Sequence, residues 1–196
     1  MKKIFLILNI LLLAFTTKAI AENSDLIKQI YEGNKDAKIT IITYESLTCG
    51  HCASFHKDVY PQLKKQFIDT GLVKIEFRHF PLDLAALNAS KIAQCNNNGK
   101  SKMLHFLFTN QEKWAKGETI EEVNNHLKKL FKDEGINIDF EKCINNKKIE
   151  DYVLNDRIEG VKKFKVNATP TIIINNKKFD KTLNYKNLKK SIEKLI

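Results

Sequence analysis

The apolar and polar positions along the chain predict two β-rich segments separated by a long helical one. Residues 39–44 form a β-branched run, which is typical of a buried strand. In residues 72–80 apolar and charged positions alternate, which predicts a second strand. Residues 53–67, between the two, have helical spacing. The order strand, helix, strand predicts a parallel pair of strands joined by a right-handed crossover.

From about residue 83 to residue 164 the periodicity is helical only. The predicted helices cover residues 84–96, 103–114, 120–134 and 140–164. Thr119 followed by Glu122 has the pattern of a capping box, so the third of these helices is expected to begin there. We interpret the whole block as a helical insertion between strands.

β character returns after this block, in residues 171–174, which predict a third strand. A turn over residues 175–178 leads to a short partner strand anchored by Phe179, and a closing helix is predicted over residues 183–195. Before the first strand, helical spacing predicts a small helix that ends near Gly33. The pattern is therefore βαβ, a helical block, then ββα, and it indicates an α/β protein.

Residues 1–21 have the form of a secretory signal peptide. Residues 1–3 are a positively charged start, residues 4–15 are almost entirely apolar, and residues 19–21 are a small-x-small cleavage site. A retained transmembrane helix is the alternative, but such a helix needs roughly 18 or more apolar residues. We therefore expect export of a mature chain into the periplasm, an oxidising compartment in which disulfides persist.

The 196 residues are 43% hydrophobic and 29% charged, an ordinary globular composition that excludes a disordered tail or a collagen-like chain. The formal net charge is +10, and it falls to +7 without the signal peptide. Only Arg78 and Arg157 among the 33 basic residues are arginines, whereas phosphate and base recognition favour the planar arginine fork. Together with export, this predicts no nucleic-acid partner, and we interpret the lysines as a solvated surface.

The strongest chemical signal is Cys49-Gly50-His51-Cys52, at a point where a strand gives way to a helix. The first sulfur then lies at the helix N-terminus, where unpaired N–H groups and the positive end of the macrodipole favour an anion. The pKa of Cys49 is expected to fall from about 8.5 into the range of roughly 3.5 to 7.5. His51 can add a donor or a positive charge. Cys49 is therefore predicted to be the attacking thiolate, and Cys52 the buried resolving thiol.

The same physics predicts the direction of thiol exchange. A stabilised Cys49 thiolate favours the reduced form, so the Cys49–Cys52 disulfide becomes a stronger oxidant, by about 30 mV for each 1.4 kcal/mol. In an oxidising compartment we expect the site to donate disulfides.

Cys95 and Cys143 lie in the helical block, outside any Cys-x-x-Cys pair. In an oxidising compartment they are predicted to form a structural disulfide, which would close a loop of about 49 residues and contribute about 4 kcal/mol. Two alternatives stay open: two free buried thiols, or a regulatory bond that tunes the active site.

A zinc site is the main chemical alternative, because Cys49, Cys52 and His56 have a spacing that zinc can use. A structural zinc ion needs four ligands, usually with a second close pair, and the sequence has no such pair. We therefore predict no metal and no cofactor. His56 is expected to face either the two sulfurs or solvent. Three further histidines are interpreted as surface or core-edge residues: His79, His105 and His126.

An apolar cluster on one predicted helix is interpreted first as core packing: Leu104, Phe106, Leu107, Phe108 and Trp114. Alternatively, part of this cluster rims a hydrophobic groove beside Cys49 that receives unfolded chains or an oxidising membrane partner. A non-enzymatic envelope chaperone or adaptor would use the same groove.

Three segments resemble the DsbA-like thiol:disulfide interchange proteins of the thioredoxin superfamily. They are residues 44–56 (YESLTCGHCASFH), residues 78–83 (RHFPLD) and residues 168–171 (ATPT). The resemblance spans nearly all of the mature chain. It implies a thioredoxin fold over residues 22–196, with a helical insertion at about 83–164.

The resemblance also implies roles for residues near the two sulfurs. Pro170 would be a cis-proline that faces the disulfide, and the backbone of Ala168 and Thr169 would pair with an extended substrate. The dipeptide Gly50-His51 departs from the Pro-His of many DsbA-like proteins, and it is the pair found in eukaryotic protein disulfide isomerases. The redox potential is therefore expected nearer to that of an isomerase.

A second departure concerns the proton of the resolving thiol. Many relatives have a buried acid six residues before the first cysteine, and this chain has Thr43 there. Glu45 is the other candidate for a proton relay, although we assign it to the opposite face of the strand.

The resemblance implies a monomeric periplasmic thiol:disulfide oxidoreductase that introduces disulfide bonds into exported proteins. Its partners would be reduced or unfolded exported proteins and a membrane-bound reoxidising partner similar to DsbB. The alternative is a disulfide isomerase or reductase that uses the same site. Periplasmic isomerases usually have an added N-terminal domain, and residues 22–37 are expected to be too few to form one.

Overall fold

The computed structural model describes residues 27–95 and 99–196, so the predicted signal peptide lies outside the described residues. The centre of the fold is a five-stranded sheet with the strand order β1-β3-β2-β4-β5. The strands are β1 (Ile30–Glu32), β2 (Ile39–Glu45), β3 (Val73–His79), β4 (Thr171–Ile174) and β5 (Lys177–Lys178). β2 and β3 run parallel in register over their full lengths, which confirms the predicted parallel pair.

β4 runs antiparallel to β2 on the side away from β3, and Thr171 lies opposite Tyr44. The C-terminal end of β2 therefore lies beside the N-terminal end of β4. This register brings the loop after β2, residues 46–49, next to the loop before β4, residues 168–170. Two of the three segments that carry the resemblance thus meet at one edge of the sheet.

The prediction of a small helix before β2 is wrong over the described residues, because Ile30–Glu32 is a strand antiparallel to β3. Ile30 is fully buried opposite Phe77, and Gln29 Nε2 donates to the Phe77 carbonyl at 2.7 Å. The apolar spacing before Gly33 fits a strand with one inward residue as well as it fits a helix. The open edge of β3 decides between the two, since pairing there satisfies the backbone groups of both strands.

The crossover between β2 and β3 is helical over residues 50–68, in agreement with the prediction, but it is not uniform. It consists of α1 (Gly50–Ser54), a π-helical stretch (Phe55–Val59), α2 (Tyr60–Leu63) and a second π-helical stretch (Lys64–Ile68). Pro61, at the start of α2, lacks an N–H, so the regular hydrogen-bond ladder cannot run through it. The turn that follows Cys52 is consequently irregular, and π-helical turns of this kind occur frequently at functional sites.

The chain between β3 and β4 is helical, as predicted. The helices there are α3 (Leu84–Cys95), α4 (Lys102–Thr109), α5 (Gln111–Trp114), α6 (Ile120–Asp133), α7 (Phe140–Ile144) and α8 (Lys147–Phe164). Two predicted helices are interrupted, one at Asn110 and one at Asn145 and Asn146. The Asn146 side chain accepts from the Ile149 N–H at 3.2 Å and so caps α8. Asparagine side chains compete with the helical ladder, which explains breaks at these positions.

The predicted capping box is confirmed. The Thr119 hydroxyl accepts from the Glu122 N–H at 3.2 Å, and the Glu122 carboxylate accepts from the Thr119 N–H at 3.4 Å. The closing helix is α9 (Tyr185–Glu193). Phe179, predicted within the last strand, follows β5 and donates its N–H to the Ile172 carbonyl at 2.8 Å. Within residues 27–95 and 99–196, no helix combines the length and apolar character needed to span a membrane.

A small core on one face of the sheet holds the C-terminal end of β2 in place. Its members are Tyr44, Phe80, Phe164, Val166 and Ile173. The Tyr44 ring meets the Phe80 ring edge-on, with 6.4 Å between their centroids. Tyr44 also covers Gly160 of α8, where an added Cβ would lie 2.7 Å from Tyr44 Cε1. A glycine at this position therefore lets α8 approach the strand that leads to Cys49.

Gly160→Ala is expected to lower the free energy of unfolding by about 1–2 kcal/mol, because the clash with Tyr44 outweighs the ~1 kcal/mol that alanine gains in a helix. Urea unfolding followed by circular dichroism measures the change. Asn155→Ala, at an exposed position of the same helix, is the matched control and should be neutral or slightly stabilising. A Gly160→Ala protein more stable than the wild type would contradict the prediction.

Candidate active site

Cys49 lies at the junction where β2 ends and α1 begins. It is the N-cap residue of α1, and its carbonyl accepts from the N–H groups of Cys52 and Ala53 at 3.1 Å each. Its own N–H donates to the Ser46 carbonyl at 3.0 Å. Both thiols are free, and Cys49 is partly exposed whereas Cys52 is buried. The pair therefore occupies the first turn of a helix, with only Cys49 open to another molecule.

The Cys49 thiol is strongly acidic, with its pKa lowered to about 5. The largest cause is a hydrogen bond from the Cys52 thiol. Desolvation acts in the opposite direction, but the Thr169 side chain and the backbone N–H groups of Cys52 and His51 also lower the pKa. Cys49 is consequently a thiolate at neutral pH.

Cys52 has the opposite properties. Burial raises the pKa of its thiol, and the hydrogen bond to Cys49 and the negative charge of Glu45 raise it further. Cys52 therefore keeps its proton at neutral pH and donates it to the Cys49 sulfur. The two sulfurs divide into an accessible thiolate and a buried thiol, which is the division that stepwise thiol exchange requires.

The loop before β4 closes over Cys49. The peptide bond between Thr169 and Pro170 is cis. The Thr169 carbonyl oxygen lies 3.4 Å from the Cys49 sulfur. The Thr171 hydroxyl donates to the Ala168 carbonyl at 2.7 Å, which holds the loop in shape. The structure therefore places the Thr169 carbonyl next to the reactive sulfur, and Pro170 has the cis form that the resemblance implies.

A groove of about 790 Å³ runs along α1 and is lined on one side by Gly50 and His51. The His51 side chain is exposed, and the backbone N–H of His51 is the group that lowers the pKa of Cys49. Phe108 of α4 also borders this groove. The other members of the predicted apolar cluster contribute to the core: Leu104, Leu107 and Trp114 are buried and Phe106 is half-buried. Phe108 is itself 3% exposed and belongs to the same core, so the core interpretation applies to the whole cluster, and Phe108 borders the groove as well.

Glu45 does not lie on the face to which we assigned it. Residues two apart in a strand share a face, so Glu45 lies on the same side of β2 as Thr43, and both are buried. Glu45 Oε2 lies 2.8 Å from Nε2 of His56, which is buried rather than solvent-facing and whose other ring nitrogen contacts His105. The Thr43 hydroxyl donates to the Glu76 carbonyl at 3.4 Å. Of the two candidates for a proton relay, only Glu45 acts electrostatically on Cys52.

The three remaining histidines have different surroundings. His79 is 3% exposed, so its interpretation as a surface or core-edge residue is wrong. It ends β3, which is covered by helices, and burial lowers its pKa to about 4. His105 is half-buried and contacts His56, and His126 lies 2.9 Å from the Lys116 carbonyl. In the described part of the chain, no three histidine, cysteine or acidic side chains converge as metal ligands would.

Cys95 and Cys143 are joined in a disulfide, with 5.4 Å between their Cα atoms. The bond connects the C-terminal end of α3 to α7. It therefore encloses the chain of α4, α5 and α6 in a covalent loop.

The loop that holds Cys49 has two side-chain partners that the sequence did not identify. Gln111 Nε2 donates to the carbonyls of Leu47 and Cys49, at 2.8 and 3.1 Å. The Thr48 hydroxyl donates to Asp83 Oδ2 at 2.7 Å. Asp83 is the last residue of one of the segments that carry the resemblance, so that segment could have indicated it. No local sequence pattern distinguishes Gln111.

Comparison with known proteins gives one consistent family. The family model described as Thioredoxin matches residues 25–194. The crystal structure of α-DsbA1 from Wolbachia pipientis is 31% identical with a TM-score of 0.75, and the match covers 85% of this chain and 90% of that one. Oxidised BdbD from Bacillus subtilis is 25% identical with a TM-score of 0.67, over 85% of this chain and 92% of that one.

Curated proteins agree with the solved structures. Disulfide bond formation protein D of Bacillus subtilis is 27% identical over 172 residues, which are 83% of this chain and 74% of that protein. A Rickettsia bellii relative is 31% identical over 150 residues, which are 73% of this chain and 55% of the relative. The chain thus spans about half the length of the Rickettsia relatives that it matches. The order βαβ, helical insertion, ββα is a thioredoxin fold, and the chain belongs to the thioredoxin family as a DsbA-like protein.

Proposed function

We propose that this chain is a periplasmic thiol:disulfide oxidoreductase that introduces disulfide bonds into exported proteins. The observation that carries the proposal is the contrast between an acidic Cys49 and a Cys52 that stays protonated. The names of the Wolbachia and Bacillus relatives, α-DsbA1 and disulfide bond formation protein D, support the same activity. The form of residues 1–21 supports export.

The reaction runs through a mixed disulfide. A substrate thiolate attacks Sγ of Cys49 in the oxidised enzyme, the Cys49–Cys52 bond breaks, and the electron pair stays on Cys52, which takes up a proton. A second substrate thiolate then attacks the substrate sulfur of the mixed disulfide, and Cys49 leaves as a thiolate. The substrate loses two electrons and gains a disulfide, and the enzyme disulfide is reduced to Cys49 thiolate and Cys52 thiol.

The loop that contains Pro170 positions the substrate. Its Thr169 carbonyl lies 3.4 Å from Cys49 Sγ, so the backbone of Ala168 and Thr169 is within reach of a chain joined to that sulfur. Extended segments pair with such exposed backbone groups by strand-like hydrogen bonds, which are tolerant of sequence. The substrates are reduced or unfolded exported proteins. A membrane-bound partner of the DsbB kind restores the enzyme disulfide, and the chain acts as a monomer.

The ionisation of Cys49 favours oxidation of substrates over reduction. With a pKa of about 5, Cys49 is almost fully ionised at pH 7. Compared with an ordinary cysteine of pKa about 8.5, this stabilises the reduced enzyme by about 3 kcal/mol, which corresponds to about 60 mV. An enzyme whose reduced form is stabilised transfers its disulfide to substrate thiols more readily. We therefore favour the oxidase over the reductase.

Alkylation of Cys49 by iodoacetamide is expected to be half-maximal at about pH 5, because only the thiolate reacts. The rate should fall as the pH drops through this value and the sulfur is protonated. Since the folded-state pKa lies below the ~8.5 of an unfolded cysteine, the thiolate also stabilises the folded reduced protein. That stabilisation is complete above pH ~8.5 and is lost as the pH falls through about 5.

A redox equilibrium with glutathione is the companion measurement, and a potential more oxidising than about −220 mV is expected. Cys52→Ala is the control for the titration, because it removes the hydrogen bond that contributes most and should raise the pKa of Cys49. The oxidase assignment would be contradicted by a Cys49 pKa near 8 together with a redox potential of about −270 mV, the value typical of thioredoxin.

The disulfide isomerase is the second candidate, and the dipeptide Gly50-His51 is the feature that favours it. Two assays on one model substrate separate the functions. An oxidase should oxidise the reduced substrate faster than it reshuffles a scrambled one, and an isomerase should do the reverse.

A further inference from the structure

Four side chains form a continuous row of hydrogen bonds from a buried carboxylate at the end of β2 to a partly exposed one on β1. Nε2 of His56 lies 2.8 Å from Oε2 of Glu45, and Nδ1 of His56 lies 2.9 Å from Nδ1 of His105. Nε2 of His105 lies 2.9 Å from Oε1 of Glu32. This row, Glu45, His56, His105 and Glu32, is named the histidine chain below. It links β2, the helix that follows Cys52, α4 and β1.

The inner end of the histidine chain is a buried carboxylate whose charge acts on the resolving cysteine. Glu45 and His56 are only 3% and 5% exposed. The charge of Glu45 raises the pKa of Cys52. Glu45 Oε1 is buried and has no hydrogen-bond partner within the described part of the chain. A buried carboxylate oxygen without a partner is costly, and Glu45 Oε1 is an acceptor that the described residues leave free.

The outer end reaches solvent. His105 and Glu32 are 24% and 17% exposed, and Glu32 lines a surface cavity of about 550 Å³ together with Lys64. Glu32 accepts from the hydroxyls of Tyr60 and Ser101 and lies 3.3 Å from the Lys64 ammonium. Burial alone would raise the pKa of Glu32, but the hydrogen bonds from His105, Ser101 and Tyr60 outweigh it and lower the pKa. The outer carboxylate is therefore ionised, and it is partly open to water.

Aromatic rings enclose the middle of the histidine chain. Phe108 stacks on His56 with 4.1 Å between the centroids, and Tyr60 stacks on His105 at 4.5 Å. The Phe77 ring contacts both imidazoles, at 5.6 and 5.2 Å. On the groove side of His56, the titratable neighbours are exposed: His51, Lys57 and Glu112. The two imidazoles are therefore polar groups surrounded mainly by aromatic side chains.

The hydrogen-bond inventory determines the charge of the histidine chain. Its three hydrogen bonds need three protons, and where both carboxylates accept, the two rings together hold all three. One ring is then an imidazolium, and the four groups carry a net charge of −1. If a proton enters at Glu45 and another leaves at Glu32, the net charge is the same as before. One positive charge has then crossed the row without the movement of any heavy atom, and the two rings hold two protons in place of three.

We propose that the histidine chain conducts the Cys52 proton between Glu45 and solvent at Glu32 during thiol exchange. When the enzyme is reoxidised, Cys52 gives up its proton, Glu45 takes one up, and the imidazolium releases one through His105 and Glu32 to water. When a substrate reduces the enzyme, the same steps run in reverse. This inference rests on the proposed function, because the proton moves only if Cys52 makes and breaks a disulfide. His56 and His105 are positioning residues that act through Glu45.

The test separates two steps of the reaction between the reduced enzyme and glutathione disulfide. In the first step the Cys49 thiolate attacks, at a rate proportional to the concentration of glutathione disulfide. In the second step Cys52 loses its proton and closes the Cys49–Cys52 bond, releasing glutathione at a rate independent of that concentration. Stopped-flow thiolate absorbance follows the first step, and acid quench with mass spectrometry follows the second.

His56→Phe and His105→Gln are expected to slow the second step at least about tenfold at pH 7 and to leave the first within about twofold. The slowed rate should rise about tenfold for each pH unit, because hydroxide replaces the missing base, whereas the wild-type rate rises less steeply. Glutamine at position 105 keeps a donor for Glu32 but cannot pass a proton. A merely structural role of His105 would leave the second step of this variant unchanged.

His126→Phe is the matched control, because it makes the same change at a histidine outside the chain, and both steps should be unchanged. If His56→Phe does not fold, His105→Gln and Glu32→Gln at the partly exposed end carry the test. Equal slowing of both steps, or a second step within twofold of wild type in every folded variant, would overturn the proposal. A wild-type protein that does not react with glutathione disulfide would instead overturn the proposed function.

Discussion

Cys49→Ser is expected to abolish disulfide transfer, with the rate of dithiol oxidation falling at least about a thousandfold to the uncatalysed background. A serine hydroxyl cannot form the mixed disulfide and stays protonated at a helix N-terminus. Among the described residues no other sulfur can replace it, because Cys52 is buried and Cys95 is bonded to Cys143. Stopped-flow oxidation of a peptide with two cysteines measures the rate.

Cys52→Ser is the matched control, because it changes the same atom at the buried position. In this variant Cys49 should still attack a disulfide such as an oxidised peptide or glutathione disulfide, and the resulting mixed disulfide should accumulate as an added mass, because no resolving thiol releases it. A non-enzymatic chaperone or adaptor would keep its full effect in Cys49→Ser. Retained activity of that variant would therefore contradict the proposed function.

Replacing both Cys95 and Cys143 by alanine is expected to lower the free energy of unfolding by about 4 kcal/mol. The bond joins residues 48 positions apart, and in the unfolded protein it restricts the whole loop between them. Cys143 is buried, so lost packing adds to the effect. In a chain of this size the midpoint of thermal unfolding should fall by roughly 8–16 °C. Urea and thermal unfolding measure the two quantities.

Unfolding of the wild type with its disulfides reduced is the control, and it should show the loop-closure part of the loss without the packing that the alanine variant also loses. If the bond is structural, the Cys49 titration should be the same in the double alanine variant as in a wild type that keeps the Cys95–Cys143 bond. A shift in that titration would support the alternative that the bond tunes the active site. A loss of stability below about 1 kcal/mol would contradict the loop-closure argument.

The two sulfurs could be identified from the sequence because their chemistry is local. Cys49 and Cys52 lie where the hydrophobic period changes from that of a strand to that of a helix, and this change alone places the first sulfur at a helix N-terminus. The loop at Pro170 needed the resemblance, because a Thr-Pro pair before a strand is compatible with either isomer. Its neighbour in space, Cys49, is 120 positions away from Thr169.

What the sequence did not predict depends on contacts between distant segments. Ile30–Glu32 became a strand because β3 presented an open edge, which helical spacing cannot reveal. His79 is buried because helices cover the sheet at that point. The hydrogen bond between His105 and Glu32 joins residues 73 positions apart, so no local pattern indicates it. Glu45 is the exception. It lies two residues after Thr43 in the same strand, and this spacing was sufficient to assign both side chains to one face of the sheet.

The disulfide between α3 and α7 also determines what a break in the backbone would do. The segment between α6 and α7, residues 134–139, is mostly exposed and is accessible to proteases. Cys95 and Cys143 flank it, so a cut there leaves two fragments that stay covalently joined. One fragment holds Cys49 and the other holds Pro170. A nicked molecule in an oxidising compartment would therefore keep both parts of its active site together, and would come apart only after reduction of this bond.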